Sequence, residues 1–149
     1  AAEDKDNGYI LKTLSGYKQT TRTAGTMACD DYPLKSDLSG RLISINNPPH
    51  ENENGPVLCI DTNGTKGPNQ IGKEYFLFVF TIDGRVIPMG MDDPNNTTAT
   101  DLGYTFFVKG SDYCKATNSG YQGFACAYYA LNDKHPTIEG KSYWKDFLH

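Results

Sequence analysis

The clearest hydrophobic pattern lies between residues 74 and 88. In Glu74-Tyr75-Phe76-Leu77-Phe78-Val79-Phe80-Thr81-Ile82, the side chains of Phe76, Phe78 and Phe80 fall on one face of an extended chain. Those of Tyr75, Leu77 and Val79 fall on the other. Both faces are apolar, so the pattern predicts a strand in the middle of a sheet, covered on each side. Asp83-Gly84 follows, a two-residue hairpin signal, because a type I′ turn needs positive φ at both central positions. Arg85-Val86-Ile87-Pro88 is then the returning antiparallel strand.

Weaker runs surround this hairpin. Arg41–Ile45 and Pro56–Ile60 are short apolar segments that predict two more strands, separated by the polar loop Asn46–Gly55. Tyr104–Lys109 is a further strand candidate. Ala125–Leu131 suits strand or helix by period alone. Near the start, Tyr9, Ile10, Leu14 and Tyr17 sit at roughly helical spacing and predict a short helix over 3–19. Gly8 and Gly16 oppose it at about 1 kcal/mol each. The tail ends in Tyr143-Trp144-Lys145-Asp146-Phe147-Leu148, whose aromatics predict that it docks back onto the body. Together these elements predict an α+β fold: an N-terminal helix or its truncated remnant packed on a small antiparallel sheet of about four strands, with disulfide-bounded loops. With 149 residues and no internal repeat, residues 1–149 read as a single domain.

Composition narrows the function classes. Ten Tyr, seven Phe and fifteen Gly against three Met favour sheet and turns over helical packing. A net charge of −4 with scattered Lys and Arg argues against a nucleic-acid partner, since phosphate contacts need clustered cations. The apolar runs are too short to span a bilayer. The four cysteines, Cys29, Cys59, Cys114 and Cys126, form no Cys-x-x-Cys pair. Their even number and wide spacing predict two disulfides and an oxidising compartment. Of the three possible pairings, Cys29–Cys59 with Cys114–Cys126 closes the shortest loops.

Two loops offer oxygen ligands that calcium would accept. In the first, Asp61, Asn63 and Glu74 are candidates. Lys66 stands at its sixth position and Gly72 at its twelfth, against the EF-hand pattern, so Asp and Asn capping backbone amides is the favoured reading. The second loop carries Asp92, Asp93, Asn95, Asn96 and Asp101, and a solvated acidic loop is its ordinary alternative. No cofactor is expected beyond that calcium.

Catalytic signals are weak. There is no Gly-x-Ser-x-Gly elbow, and His50 and His135 lie in proline-containing loops with no nucleophile beside them. An enzyme is not expected. Among the aromatics, Tyr104, Phe106, Tyr128 and Tyr129 suit core or surface alike, while Tyr121, Tyr143 and Trp144 are the candidate binding surface.

Three segments together resemble a known group. They are Ile60–Asn69 running into Gly72–Phe78, Asp83–Pro88, and Cys126–Asn132 followed by Tyr143–Leu148. Their order and spacing are similar to the globular domains of bacterial type IV pilin-like proteins, including type II secretion pseudopilins. The resemblance covers residues 59–148 and implies a structural subunit of a cell-surface pilus or pseudopilus. Its partners would be other pilin or pseudopilin subunits, with a host or surface glycan or protein as a further target. It would be extracellular or on the cell surface, or periplasmic for a pseudopilin. The family's hydrophobic N-terminal helix is not in this chain, and membrane attachment would run only through it. Some pseudopilins carry a loop calcium site, which the resemblance extends to the two acidic loops. A secreted glycan- or protein-binding adhesin module is the alternative.

Overall fold

Two copies of one turn organise the sheet. In Asp37-Leu38-Ser39-Gly40-Arg41 the amide of Asp37 donates to the Arg41 carbonyl (2.9 Å) and that of Gly40 to the Asp37 carbonyl (3.1 Å). In Thr81-Ile82-Asp83-Gly84-Arg85 the same two bonds measure 2.8 and 3.0 Å. In both, an oxygen on the first side chain accepts from the arginine amide: Asp37 Oδ1 at 3.0 Å and Thr81 Oγ1 at 2.9 Å. Each Arg Nε then donates to a carboxylate, Asp37 at 2.6 Å and Asp83 at 2.8 Å. Gly40 and Gly84 hold φ at +81° and +84°, which only glycine reaches without strain. Each connection is thus a three-residue loop, a type I turn closed by a left-handed glycine. At Asp83-Gly84 this corrects the expected type I′ turn: the hairpin is there, but only Gly84 has positive φ.

The computed structural model describes residues 10–16, 18–20, 35–46, 54–64, 66–67, 69–91, 110–117 and 122–148. Within them, β1 (Ile10–Lys12) pairs antiparallel with β2 (Lys18–Thr20). A five-stranded antiparallel meander follows in chain order: β3 (Lys35–Ser36), β4 (Leu42–Asn46), β5 (Val57–Asp61), β6 (Tyr75–Phe80) and β7 (Val86–Pro88). A 3-10 turn at Gly110–Tyr113, helix α1 (Ala127–Leu131) and a π-helical turn at Tyr143–Phe147 complete the described elements.

Register sorts the side chains into two faces, because cross-strand partners share a face. The inner rows are Leu42–Asp61–Tyr75, Ser44–Cys59–Leu77 and Val57–Val79–Ile87. All of these residues are buried, and they join Ile71, Met89 and Phe124 in the main core. A second core lies around the Cys114–Cys126 disulfide, with Ala130 and Tyr143 buried and Leu14, Phe76, Tyr129, Phe147 and Leu148 packed against them. Cys59 is disulfide-bonded as well. Cys29 lies outside the described residues, as do Asp92, Asp93, Asp101, Tyr121 and the strand candidate Tyr104–Lys109.

The expected α+β architecture is corrected. Among the described residues there is no N-terminal helix packed on the sheet, and the main sheet has five strands rather than about four. The physical reason lies in the backbone of Lys12. Its amide donates to the Asn69 carbonyl (2.9 Å) and its carbonyl accepts from Ile71 (2.8 Å), groups that an α-helix would have used internally. A turn at Thr13–Gly16, closed by Gly16 N donating to Thr13 O (2.9 Å), then reverses the chain toward β2. Helical spacing of four apolar residues does not outweigh those pairings together with the glycine penalties.

Candidate functional site

An antiparallel sheet with one buried face ordinarily turns a polar face to water. This one does not. Its outer rows read Lys35–Ile43–Ile60–Phe76, Ile45–Leu58–Phe78–Pro88 and Phe80–Val86. Phe76, Phe78 and Phe80 are half-buried, whereas Ile45 is 39% and Val86 50% exposed. The strand β6 therefore does sit inside the sheet, but only its Tyr75–Leu77–Val79 face is fully covered.

The C-terminal segment covers one corner of this apolar surface. The Trp144 ring meets Phe76 edge-on at 6.3 Å and Tyr143 at 5.1 Å, and its indole Nε1–H donates to the Ala130 carbonyl at 3.0 Å. Between sheet and helix a cleft of about 270 Å³ remains, lined by Ile60, Phe76, Phe78, Ala127, Ala130, Leu131 and Trp144, with Arg41 and Thr62 at its rim. Trp144 is 45% and Leu131 66% exposed there. Arg41 is the cleft's charged group.

Local capping gives the C-terminal segment its shape. Ser142 is the N-cap of the π-helical turn, its Oγ accepting from Lys145 N at 3.1 Å, while Asp146 accepts from Ser142 N at 2.8 Å. Asp133 adds a second cap, accepting from the Ser142 hydroxyl and from Trp144 N (3.2 Å). Those two donors hold its carboxyl below the usual carboxylate range.

Asp133, His135 and Ser142 share a surface hollow of about 490 Å³ with Lys134, Ile138, Glu139, Gly140 and Lys141. The trio does not form a nucleophilic relay. Asp133 bonds the serine, not the imidazole. His135 Nδ1 accepts from Thr137 N (3.1 Å) and Ile138 N (3.0 Å), which leaves the proton on Nε2 and no lone pair there to activate a hydroxyl.

The first acidic loop is a turn network. Asp61 is fully buried and its Oδ1 accepts from Asn63 N at 3.1 Å; Glu74 Oε2 accepts from Gln70 N at 2.9 Å. Among the described residues no three His, Cys, Asp or Glu gather where they could hold a metal. Asn63 Oδ1, Asn69 Oδ1 and Tyr75 Oη are buried without a hydrogen-bond partner among the described residues. Burial first, and the Asp61 charge second, push the Tyr75 phenol well above its ordinary range.

Of the aromatic surface candidates, the structure separates the neighbours. Tyr143 is fully buried and its hydroxyl donates to the Gly72 carbonyl, so it is a core residue. Trp144 faces the cleft. The residues that sequence reading passed over are Ile45, Leu58, Val86, Leu131 and Arg41. A signal for the first two was present: Leu42-Ile43, Ile45 and Val57-Leu58-Cys59-Ile60 are apolar at successive positions, not alternate ones, as only a two-sided strand requires. Comparison with protein-family models, with curated proteins and with solved structures finds no match to this chain.

Proposed function

We propose that this chain is a contact-making structural domain of a cell-surface or secretion-associated assembly of the pilin-like kind, working through its outer sheet face. The observation that carries this reading is the apolar row Ile45–Leu58–Phe78–Pro88 with Val86 beside it, half open to water. Contiguous apolar surface of this sort marks an interaction site. Addition of a strand at an edge is a poor alternative. One edge strand has two residues, and the other carries Pro88, which has no amide to donate. A face-on contact is therefore favoured over β-augmentation. Disulfides at Cys59 and Cys114–Cys126 accord with an oxidising compartment outside the cytoplasm.

The test is made in the cell that produces the chain. Surface material sheared from those cells is sedimented and probed with an antibody to this domain. The expected result is recovery in a high-mass polymer, and loss of that recovery when Ile45 and Val86 are both replaced by Lys. Both positions are already exposed, so the replacements leave the fold intact. Finding the chain only as a freely diffusing protein, with the double variant indistinguishable, overturns the proposal.

A further inference from the structure

The cleft beside the outer face has a complement on the same molecule. Its walls are apolar and Arg41 stands at its rim. Arg41 spends Nε on Asp37 (2.6 Å), and its terminal amino groups make no hydrogen bond to the described residues. The cleft thus suits an apolar side chain with a carboxylate next to it. The loop between α1 and the π-helical turn presents such a pair. Ile138 is 52% exposed, and the neighbouring Glu139 is exposed and has no ion-pair partner among the described residues.

That loop is also rigid, which lowers the ordering cost of docking. His135 N donates to the Lys141 carbonyl at 2.8 Å, Lys141 N to the Ile138 carbonyl at 3.3 Å, and the His135 ring accepts from the Thr137 and Ile138 amides. The His135 ring is in turn seated edge-on against Phe147 at 5.3 Å. Ile138 and Glu139 are consequently held out on a fixed scaffold.

We propose that the cleft receives the Ile138–Glu139 turn of a second copy of this chain. Ile138 enters between Phe76, Phe78, Leu131 and Trp144, and the Glu139 carboxylate meets the terminal amino groups of the Arg41 guanidinium. This deepens the assembly reading above by naming a self-contact at the covered corner of the same face, and it rests on that reading. Cleft and turn are different patches, so the contact either closes reciprocally in a two-fold pair or repeats head to tail. Charge complementarity sets its register, and the buried isoleucine supplies most of its affinity.

The test uses the full chain in solution, and Trp144 is its built-in reporter because it is the single tryptophan. Sedimentation velocity and tryptophan emission are followed to about 1 mM, the range of weak single contacts. The expected result is concentration-dependent association with a blue shift as Trp144 leaves water. Arg41→Glu alone and Glu139→Arg alone should each weaken it by roughly tenfold or more, as reversed interfacial charges do. Mixing the two variants should restore it, since each then offers the other a matched cleft and turn. Ile138→Asp should abolish it. A wild-type chain that stays monomeric, or a mixture that associates no better than its components, overturns the proposal. Should the glutamate at 41 disturb the turn through Asp37, Arg41→Gln and Glu139→Gln take their place. Weakening by both then supports the contact, and weakening by neither overturns it. Recovery of the chain in sheared polymer with no effect of these changes sinks this contact and leaves the wider reading standing.

Discussion

The buried hydroxyl of Tyr143 donates to the carbonyl oxygen of Gly72, joining residues 71 apart in the chain. This bond ties the C-terminal turn to the loop that leads into β6. The Tyr143 ring also packs on Trp144 and Phe147, each at 5.1 Å between centroids. Tyr143→Phe keeps that packing and removes the donor, so a buried carbonyl loses its partner. The expected loss is about 1–3 kcal/mol of unfolding free energy, with an unchanged urea m-value. A loss under about 0.5 kcal/mol would mean the carbonyl finds another donor.

The alkaline limb of stability follows from the same phenol. Burial pushes Tyr143 far above its ordinary range, and burial with the Asp61 charge does the same for Tyr75. Neither ionises in the folded state near pH 10, whereas both do once unfolded. The unfolded state then binds fewer protons than the native one, so stability is full below about pH 10 and falls as pH rises. Two such groups give a slope of roughly half of 2.7 kcal/mol per pH unit at about pH 10, approaching about 2.7 near pH 11 as both ionise in the unfolded chain. Urea titrations between about pH 9 and 11 measure it, and Tyr143→Phe should halve the steep part.

How much of this was legible in the sequence depends on the range of each interaction. The strand Tyr75–Phe80 and its hairpin were legible, because alternation and a left-handed glycine act over a few residues. The helix expected over 3–19 was not corrected by anything local. What overrides it among the described residues is Lys12 bonding Asn69 and Ile71, a pairing nothing near Lys12 announces. Tyr143 and Trp144 look alike as adjacent aromatics, yet one meets Gly72 in the core and the other lines the cleft. Alternation also says which residues share a face, but not whether a face is covered. The half-open state of Phe78 and Phe80 had to come from the structure.

Among the described residues, Gly90 makes a very close backbone approach in the core wall. Its φ is +95°, and a Cβ there would lie 2.0 Å from the Ala125 carbonyl oxygen. The crossing is fixed by Tyr128 N donating to the Met89 carbonyl at 3.0 Å. Gly16 has a similar φ of +86°, but a Cβ at that position would meet nothing within 4 Å, so Gly16 isolates the conformational cost. Gly16→Ala should lose about 1–2 kcal/mol, and Gly90→Ala clearly more, because the Ala125 backbone must shift as well. Equal losses in urea unfolding would show that the Gly90 contact relaxes without cost.

The Cys114–Cys126 bond is placed to stabilise the segment that forms the cleft. It joins the residue after the 3-10 turn to the residue preceding α1 across a separation of 12 residues, and both cysteines are fully buried. Closing a loop near that length stabilises a fold by about 3 kcal/mol through the unfolded chain. The double replacement Cys114→Ala with Cys126→Ala should lose about that much. Trp144 emission should then shift red at lower urea than in the wild type, since Ala130 and Tyr143 share the sulfurs' cluster. Burial adds a kinetic expectation. A reductant reaches these sulfurs only after local opening, so the rate of reduction should climb with urea well below the unfolding midpoint. Rapid reduction in buffer alone, with no dependence on urea, would show that the C-terminal segment opens freely and cannot hold the cleft in shape.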